Sequence, residues 1–126
     1  KRYDIDEPPQ VDVPLPASLA LGRSGLRQLL ADSECDIIVC SSDTLAQGAI
    51  MEAESRGGRI PQDIAVMGFG DLDFAAFNRP SITTVSVDRR GIGERAAMML
   101  ADRIEHVTRD ETILDLGFEL IERESA

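Results

Sequence analysis

Short apolar runs alternate with helical stripes of apolar residues along most of this chain. Runs of apolar or β-branched residues bounded by proline, glycine or aspartate are typical of buried strands, and they occupy residues 36–40, 64–69 and 82–87. Apolar residues also recur at helical spacing, which predicts helices at residues 19–31, 44–56 and 90–106. Because strands and helices alternate, we expect an α/β fold in which a parallel sheet is flanked by helices.

The run at residues 64–69 is nearly continuous in its apolar character, which predicts a strand covered on both faces. Gly68 and Gly70 at its end allow the backbone to turn sharply or to pass close to a ligand. Asp71 and Asp73 then fall just outside the carboxyl end of this strand, where open α/β sheets place their binding sites. We therefore expect the polar chemistry of the protein at this edge.

The predicted helices carry capping signals at their ends. Ser18 precedes the first helix, Asp88 precedes the third, and either Ser42 or Asp43 caps the second. Gly57 follows the second helix, as glycine does at many helix ends. These signals fix the predicted helix boundaries.

The two ends of the chain carry weaker patterns. Residues 4–16 are rich in proline and acid, and they predict an irregular lead into a short strand around Val11 and Val13. Residues 113–121 alternate between apolar and polar character, which predicts a final strand, and residues 122–126 are a polar tail. Residues 72–77 predict a single helical turn.

The charge balance restricts the partners that the chain can bind. The net charge is −10, with one lysine and twelve arginines, and nucleic-acid binding needs a basic face that this composition does not supply. No apolar run approaches the roughly 18 residues of a membrane helix, and no secretion signal is evident. Cys35 and Cys40 are expected to be reduced core thiols, so the sequence favours the cytoplasm and no membrane contact.

Polar residues cluster where the predicted strands end. Hydroxyls and carboxylates that meet at one edge of a sheet suit a polyol, because its OH groups need both donors and acceptors. The alternative is that each of these residues only caps a helix or closes a turn. The clusters are Ser41 to Asp43, Gly68 to Asp73, and Thr83 and Thr84 together with Asp88 and Arg89.

These clusters lack chemical groups that a catalytic site would need. A phosphoacceptor site needs a cation beside its aspartates, but the sole lysine is Lys1. The glycines at 68 and 70 lack the third glycine of a dinucleotide fingerprint. Asp71 and Asp73 as paired catalytic carboxylates have no accompanying nucleophile or metal cluster. The sequence therefore predicts no enzyme, no cofactor and no metal site.

Four segments of the chain resemble one family of bacterial transcription regulators. They are D-I-I-V-C-S-S-D-T-L-A-Q-G-A, R-I-P-Q-D-I-A-V-M-G-F-G-D, P-S-I-T-T-V and L-I-E-R-E-S. Their order and spacing over about residues 17–125 resemble the effector-binding part of the LacI/GalR regulators. The loop G-F-G-D-L-D-F-A and the ending D-L-G-F-E-L-I-E-R-E-S resemble the gluconate-type branch.

This resemblance implies a particular domain organisation. The fold would be the C-terminal lobe of a two-lobed, periplasmic-binding-protein-like (type I) domain, formed by residues 1–87 and 112–126. Residues 88–111 would be a crossover helix that packs on an N-terminal lobe absent from this sequence, and the DNA-binding domain is absent as well. Ile92, Met99 and Leu100 would then lack their usual cover.

The resemblance also implies site residues. Ser42 falls where the family has a polar ligand contact, and Gly70 falls where many members carry an aspartate that binds sugar hydroxyls. The replaced aspartate removes a negative charge, so we expect an acidic effector, with Arg89 as the partner of its carboxylate. The implied ligand-binding residues are Ala17, Ser18, Ser42, Asp43, Gly70, Asp71 and Arg89.

A dimer interface is implied next to this site. Phe74 and Phe77 fall in the dimer-contact region of the family, although aromatic residues three apart on a turn commonly fold back onto their own helix. The implied interface residues are Gln47, Phe74, Phe77 and Asn78.

The resulting expectation is the ligand-sensing, dimerising part of a transcriptional repressor. A sugar or sugar acid, with a gluconate-like effector favoured, would alter the operator affinity of the intact protein, and DNA would be contacted only through the missing N-terminal domain. The alternative is a stand-alone sugar-binding protein of the periplasmic-binding-protein type.

Overall fold

Helices and strands follow one another in the predicted order. The structure, a computed structural model, describes residues 7–107 and 113–126. Its elements are α1 (Leu19–Asp32), β1 (Ile37–Val39), α2 (Asp43–Ser55), β2 (Ala65–Phe69), β3 (Thr83–Ser86), α3 (Arg89–Ile104) and β4 (Glu119–Ile121). The caps are as predicted, and Ser42 rather than Asp43 caps α2.

The strands form one sheet in the order β1-β2-β3-β4. β1, β2 and β3 are parallel, and β4 returns antiparallel to β3. The predicted parallel sheet flanked by helices is thus confirmed for the first three strands. Parallel strands bring their carboxyl ends to the same edge, so the loops that follow β1, β2 and β3 meet there.

The hydrophobic core lies between one face of this sheet and the helix pair α1 and α2. Leu26 of α1 and Ile50 of α2 are almost completely buried against Ile38, Val66 and Ile82 of the sheet side. One apolar face on each helix and alternate residues on each strand supply this core.

The two helices approach each other closely because glycines face each other at their crossing. A Cβ atom added at Gly22 would clash with the carbonyl oxygen of Leu45, and one added at Gly48 would clash with that of Leu19. The crossing therefore depends on two positions without side chains, and it places the first turn of α1 beside the start of α2.

The opposite face of the sheet is exposed, which corrects the prediction for β2. Only Val66 and Gly68 of this strand are buried, whereas Phe69 is 44% exposed. Ile37 and Val39 of β1 project to the same open face and are 55% and 66% exposed. The apolar run marks a strand suited to cover on both faces, but α1 and α2 both pack on the same side.

α3 packs weakly on the rest of the molecule. None of its residues is buried, and Ile92, Leu100 and Ile104 are 46%, 61% and 70% exposed. This exposure is the state expected for a crossover helix without its lobe. The proposed division at residues 88–111 stays a prediction, and residues 108–111 lie outside the described residues.

Two predicted strands are wrong in part. Residues 11–13 form no strand, because the prolines around them supply no backbone N–H for a sheet ladder. The final strand covers only Glu119–Ile121 of the predicted 113–121. Gly117 has φ 71° and donates its N–H to the side chain of Asp115 at 2.8 Å, and this turn interrupts the alternation.

The polar residues at the end of the chain are only partly exposed. Ser125 is fully buried; its Oγ donates to the carbonyl of Val66 at 2.6 Å and accepts from the N–H of Thr83 at 2.9 Å. Glu122, Glu124 and Ala126 are exposed, but the hydroxyl of Ser125 satisfies backbone atoms where β2 and β3 begin.

Candidate functional site

Asp43 ties together the loops at the carboxyl edge of the sheet. Its side chain is completely buried. Oδ1 accepts a hydrogen bond from Thr84 Oγ1 at 2.6 Å, and Oδ2 accepts one from the backbone N–H of Leu72 at 2.6 Å. Asp43 thus connects the start of α2 to β3 and to the loop after β2, so the structure places it in the framework beneath the edge.

The carboxylate of Asp43 leaves no room for a side chain at position 68, so glycine is needed there. A Cβ atom at position 68 would clash with Oδ1 of Asp43, so any side chain there would displace the buried network. The sequence predicted a sharp turn or a close approach to a ligand at this glycine, whereas Gly68 lies within β2 and approaches the carboxylate of Asp43. The close approach could not be inferred, because it depends on a side chain 25 positions earlier in the chain.

Two serine hydroxyls lie at the helix starts that face this edge. Oγ of Ser42 accepts from the N–H of Leu45, and Oγ of Ser18 accepts from the N–H of Leu21, both at 3.2 Å. Both serines are half-buried, as is Ala17. A capping hydroxyl keeps its own O–H, which can still donate to a ligand.

The loop after β2 turns through two left-handed residues. Gly70 has φ 113° and Asp71 has φ 48°. The N–H of Gly70 donates to the carbonyl of Val85 at 2.8 Å, which fixes the loop to β3. A side chain at position 70 would meet open space, but the positive φ would strain it.

The carboxylate of Asp71 is paired with an arginine that sequence reasoning missed. Oδ1 of Asp71 accepts from Nη2 of Arg123 at 2.7 Å, and Nη1 of Arg123 donates to the carbonyl of Ile82 at 2.8 Å. The two side chains are 30% and 17% exposed. Arg123 belongs to the predicted polar tail, and only the return of β4 beside β3 brings it to this loop.

Arg89 lies at the same edge with its guanidinium in solvent. Nη2 donates to the backbone carbonyl of Asp71 at 3.4 Å. Within residues 7–107 and 113–126, Arg89 forms no ion pair with a carboxylate. Asp88 beside it is occupied as the cap of α3, accepting from Gly91 N at 2.8 Å.

Cys40 also lies at this edge, at the end of β1. Burial raises the pKa of its thiol to about 11, and the negative charge of Asp43 adds to the rise. The thiol is therefore protonated at neutral pH, and a protonated thiol is a poor nucleophile.

The predicted interface residues occupy one side of the same region. Nε2 of Gln47 donates to Oδ1 of Asn78 at 2.9 Å, and Nδ2 of Asn78 donates to the carbonyl of Pro80 at 2.9 Å. Phe74 folds back onto the core, whereas Phe77 is 84% exposed. The turn thus presents one aromatic side chain to solvent.

The described residues contain neither a metal cluster nor a membrane span. Nowhere in residues 7–107 and 113–126 do three or more His, Cys, Asp or Glu side chains gather as a metal ion would require. No helix in these ranges combines the length and apolar character needed to cross a bilayer.

Comparison with known proteins places the chain in a family. Residues 7–126 match the periplasmic binding protein-like domain. The chain belongs to this family. The predicted fold class and the resemblance to LacI/GalR regulators are confirmed by the same match and by the relatives that follow.

Three relatives illustrate the similarity. The HTH-type transcriptional regulator GntR of Pseudomonas aeruginosa is 40% identical over 117 residues, covering 92% of this chain and 34% of that protein. The crystal structure of transcription regulator GntR from Chromobacterium violaceum has a TM-score of 0.76 at 38% identity, covering 87% of this chain and 41% of that one. A transcriptional regulator CelR–cellobiose complex has a TM-score of 0.80 at 30% identity, covering 86% and 34%.

These relatives are much longer than the chain. It spans about a third of the length of the curated regulators that it matches. The relatives are transcription regulators by name, and the CelR structure holds a sugar.

Proposed function

We propose that this chain is the effector-sensing part of a transcriptional repressor whose effector is a small sugar acid of the gluconate type. The similarity to GntR regulators supports the gluconate-type resemblance of the loop after β2. The sugar bound in the CelR structure supports a polyhydroxylated ligand class.

The proposal of an acidic effector is supported chiefly by which charged side chains at the carboxyl edge are paired and which are not. The carboxylate of Asp43 is buried and hydrogen-bonded, that of Asp71 is paired with Arg123, and Gly70 has no side chain. Arg89 lies beside the same loop and forms no ion pair among the described residues. A carboxylate ligand would meet one uncompensated guanidinium here, and arginine binds carboxylates with paired, charge-assisted hydrogen bonds.

The predicted ligand-binding residues take different roles in this proposal. Ser18 and Ser42 offer hydroxyls to the polyol chain, Ala17 lines the same approach, and Arg89 binds the carboxylate. Gly70 leaves space for the ligand. Asp43 acts as a positioning residue, and the carboxylate of Asp71 makes no ligand contact, because both carboxylates are occupied within the protein.

The whole regulator would act as a cytoplasmic homodimer without catalytic activity. Phe77, together with Gln47, Phe74 and Asn78, would contribute to the subunit interface. Effector binding between this lobe and a second lobe would change how an N-terminal domain holds operator DNA. The names of the relatives favour this function over a stand-alone sugar-binding protein.

Calorimetric titration of the intact regulator with gluconate, related aldonates and neutral hexoses tests the proposal. We expect selective binding of an aldonate. Tight binding of a neutral hexose with no response to any aldonate would refute the proposed effector class while leaving the family unchanged.

A further inference from the structure

We infer that Arg123 is a specificity-determining positioning residue, which holds the carboxylate of Asp71 away from the ligand so that Arg89 faces an anionic effector without competition. The inference rests on the proposed function and adds a residue that neither the sequence pattern nor the family resemblance assigns to the site.

Arg123 is held in place before any ligand arrives. Its backbone N–H donates to Thr83 Oγ1 at 2.8 Å, and Nη1 of its guanidinium donates to the carbonyl of Ile82 at 2.8 Å. Nη2 then reaches Oδ1 of Asp71 at 2.7 Å. A rigid guanidinium with several fixed partners keeps its charge at a defined position.

Asp71 contacts two guanidinium groups, but its carboxylate forms an ion pair with only one of them. Its carboxylate points to Arg123, whereas its backbone carbonyl accepts the weaker bond from Arg89 at 3.4 Å. The left-handed backbone at Asp71, with φ 48°, holds the carbonyl and the carboxylate in these separate directions. Arg123 thereby protects the charge of Arg89 from an internal ion pair.

Loss of Arg123 would release a carboxylate next to the proposed anion site. Asp71 could then pair with Arg89 and would also repel the carboxylate of the effector. Two like charges roughly 6 Å apart at an effective dielectric constant of about 40 weaken binding about tenfold. A neutral ligand of the same shape would lose much less.

The test compares gluconate with its neutral amide in calorimetric titrations of the intact regulator. The variants are R123Q, D71N, the double variant R123Q/D71N, and the control E124A. Glu124 precedes Ser125 and binds Ser81 rather than the Asp71 loop, so its loss reports general disturbance of the terminal segment.

We expect R123Q to bind gluconate about tenfold more weakly while its affinity for the amide stays within about twofold. Replacement of the released carboxylate in R123Q/D71N should restore gluconate binding, and E124A should match the wild type. Equal loss of both ligands in R123Q, without rescue by the double variant, would show a merely structural role and overturn the inference.

The failures of the two proposals are distinguishable. A wild-type regulator that binds no aldonate would overturn the proposed function and this inference with it, whereas aldonate binding that R123Q leaves unchanged would overturn the inference alone.

If R123Q does not fold, the D71N variant provides the test. We expect its gluconate affinity to be equal to or above that of the wild type, because the charge of Arg123 is released. A loss of both ligands in D71N would place the Asp71 carboxylate on the effector and contradict the inference.

Discussion

At the scale of single residues, buried carboxylates connect elements of this chain that are distant in sequence. Asp43 is completely enclosed; one carboxylate oxygen accepts a hydrogen bond from Thr84 of β3 and the other accepts one from Leu72 in the loop after β2. A buried polar group with partners costs little, but the same group without one costs the full penalty of its lost hydration.

Thr84→Val tests this network with a change that preserves volume. It removes the hydroxyl that donates to Oδ1 of Asp43 and that also accepts from the N–H of Asp71 at 3.4 Å. We expect the free energy of unfolding to fall by about 1–3 kcal/mol, because the carboxylate keeps only part of its partners. Urea denaturation measures the change, and a variant as stable as the parent would show that the hydroxyl of Thr84 contributes nothing net.

A second carboxylate makes stability depend on pH. Glu52 is 5% exposed and forms ion pairs with Arg23, Arg27 and Arg56. The hydrogen bond from Arg23, followed by that from Arg56, lowers the pKa of Glu52 from its usual value of 4.5. The folded state therefore binds this proton more weakly than the unfolded state does.

The consequence is a loss of stability in acid. The contribution of Glu52 is fully present above its unfolded pKa near 4.5 and is lost as pH falls through the lower folded value. We expect urea midpoints to fall between pH 7 and pH 3, and Glu52→Gln to be less stable at pH 7 but less sensitive to acid. An equal acid sensitivity in both proteins would contradict this assignment. The hydrogen bond from Arg59 lowers the pKa of Asp63 to about 2. Asp63 therefore adds the same acid sensitivity to the parent protein and to Glu52→Gln.

At the scale of elements, the crossing of α1 and α2 depends on glycines that the sequence does not distinguish. Gly22 and Gly25 both lower helix propensity in α1, and the pattern treats them alike. In the structure, Gly22 lies against the backbone of α2, whereas a Cβ at Gly25 would only touch Val13 at 3.5 Å.

Alanine substitution separates the two glycines. We expect Gly22→Ala to destabilise the fold by about 2 kcal/mol or more, because the helices must move apart. Gly25→Ala should be neutral or stabilising by about 0.5–1 kcal/mol, since alanine favours the helix. Thermal and urea unfolding compare the pair, and similar effects at both positions would refute the close crossing.

The elements that the sequence predicted best are those with local signals. Ser18, Ser42 and Asp88 cap their helices as expected, and the strands following Pro61 and Pro80 lie where the apolar runs begin. The errors concern long-range partners. Neither the one-sided cover of β2 nor the burial of Ser125 has a signature in the neighbouring residues.

The candidate site shows the same division. The clustering of polar groups at one edge follows from parallel strands and was predictable, and Arg89 lies at that edge. The internal role of Asp43 and the pairing of Asp71 with Arg123 were not predictable. They depend on residues 41 and 52 positions apart, which only the folded sheet brings together.

At the scale of the whole molecule, several large apolar side chains of the described residues are exposed to solvent. Ile37, Val39 and Phe69 on the open sheet face and Ile104 on α3 are 55%, 66%, 44% and 70% exposed. Phe77 forms a separate aromatic projection beside the Gln47–Asn78 hydrogen bond. We assign only the last of these to the predicted subunit interface.

Phe77→Asp in the intact regulator tests this interface. A charge at a buried aromatic contact weakens association, so we expect the sedimenting species to shift from dimer to monomer at micromolar concentration. The free energy of unfolding of the monomer should change little, because the side chain is exposed in the single chain. An unchanged dimer would remove Phe77 from the interface.

The carboxyl edge of this sheet is proposed to bind a sugar acid through Arg89. The most direct test of this proposal is calorimetric titration of gluconate into the intact regulator, its R89A variant and the control R90A, whose guanidinium pairs instead with Glu94 at 2.8 Å. We predict that R90A binds as the parent does and that R89A loses at least tenfold in affinity, the usual effect of removing one charged hydrogen-bonded partner. Equal gluconate affinity in all three proteins would contradict the account.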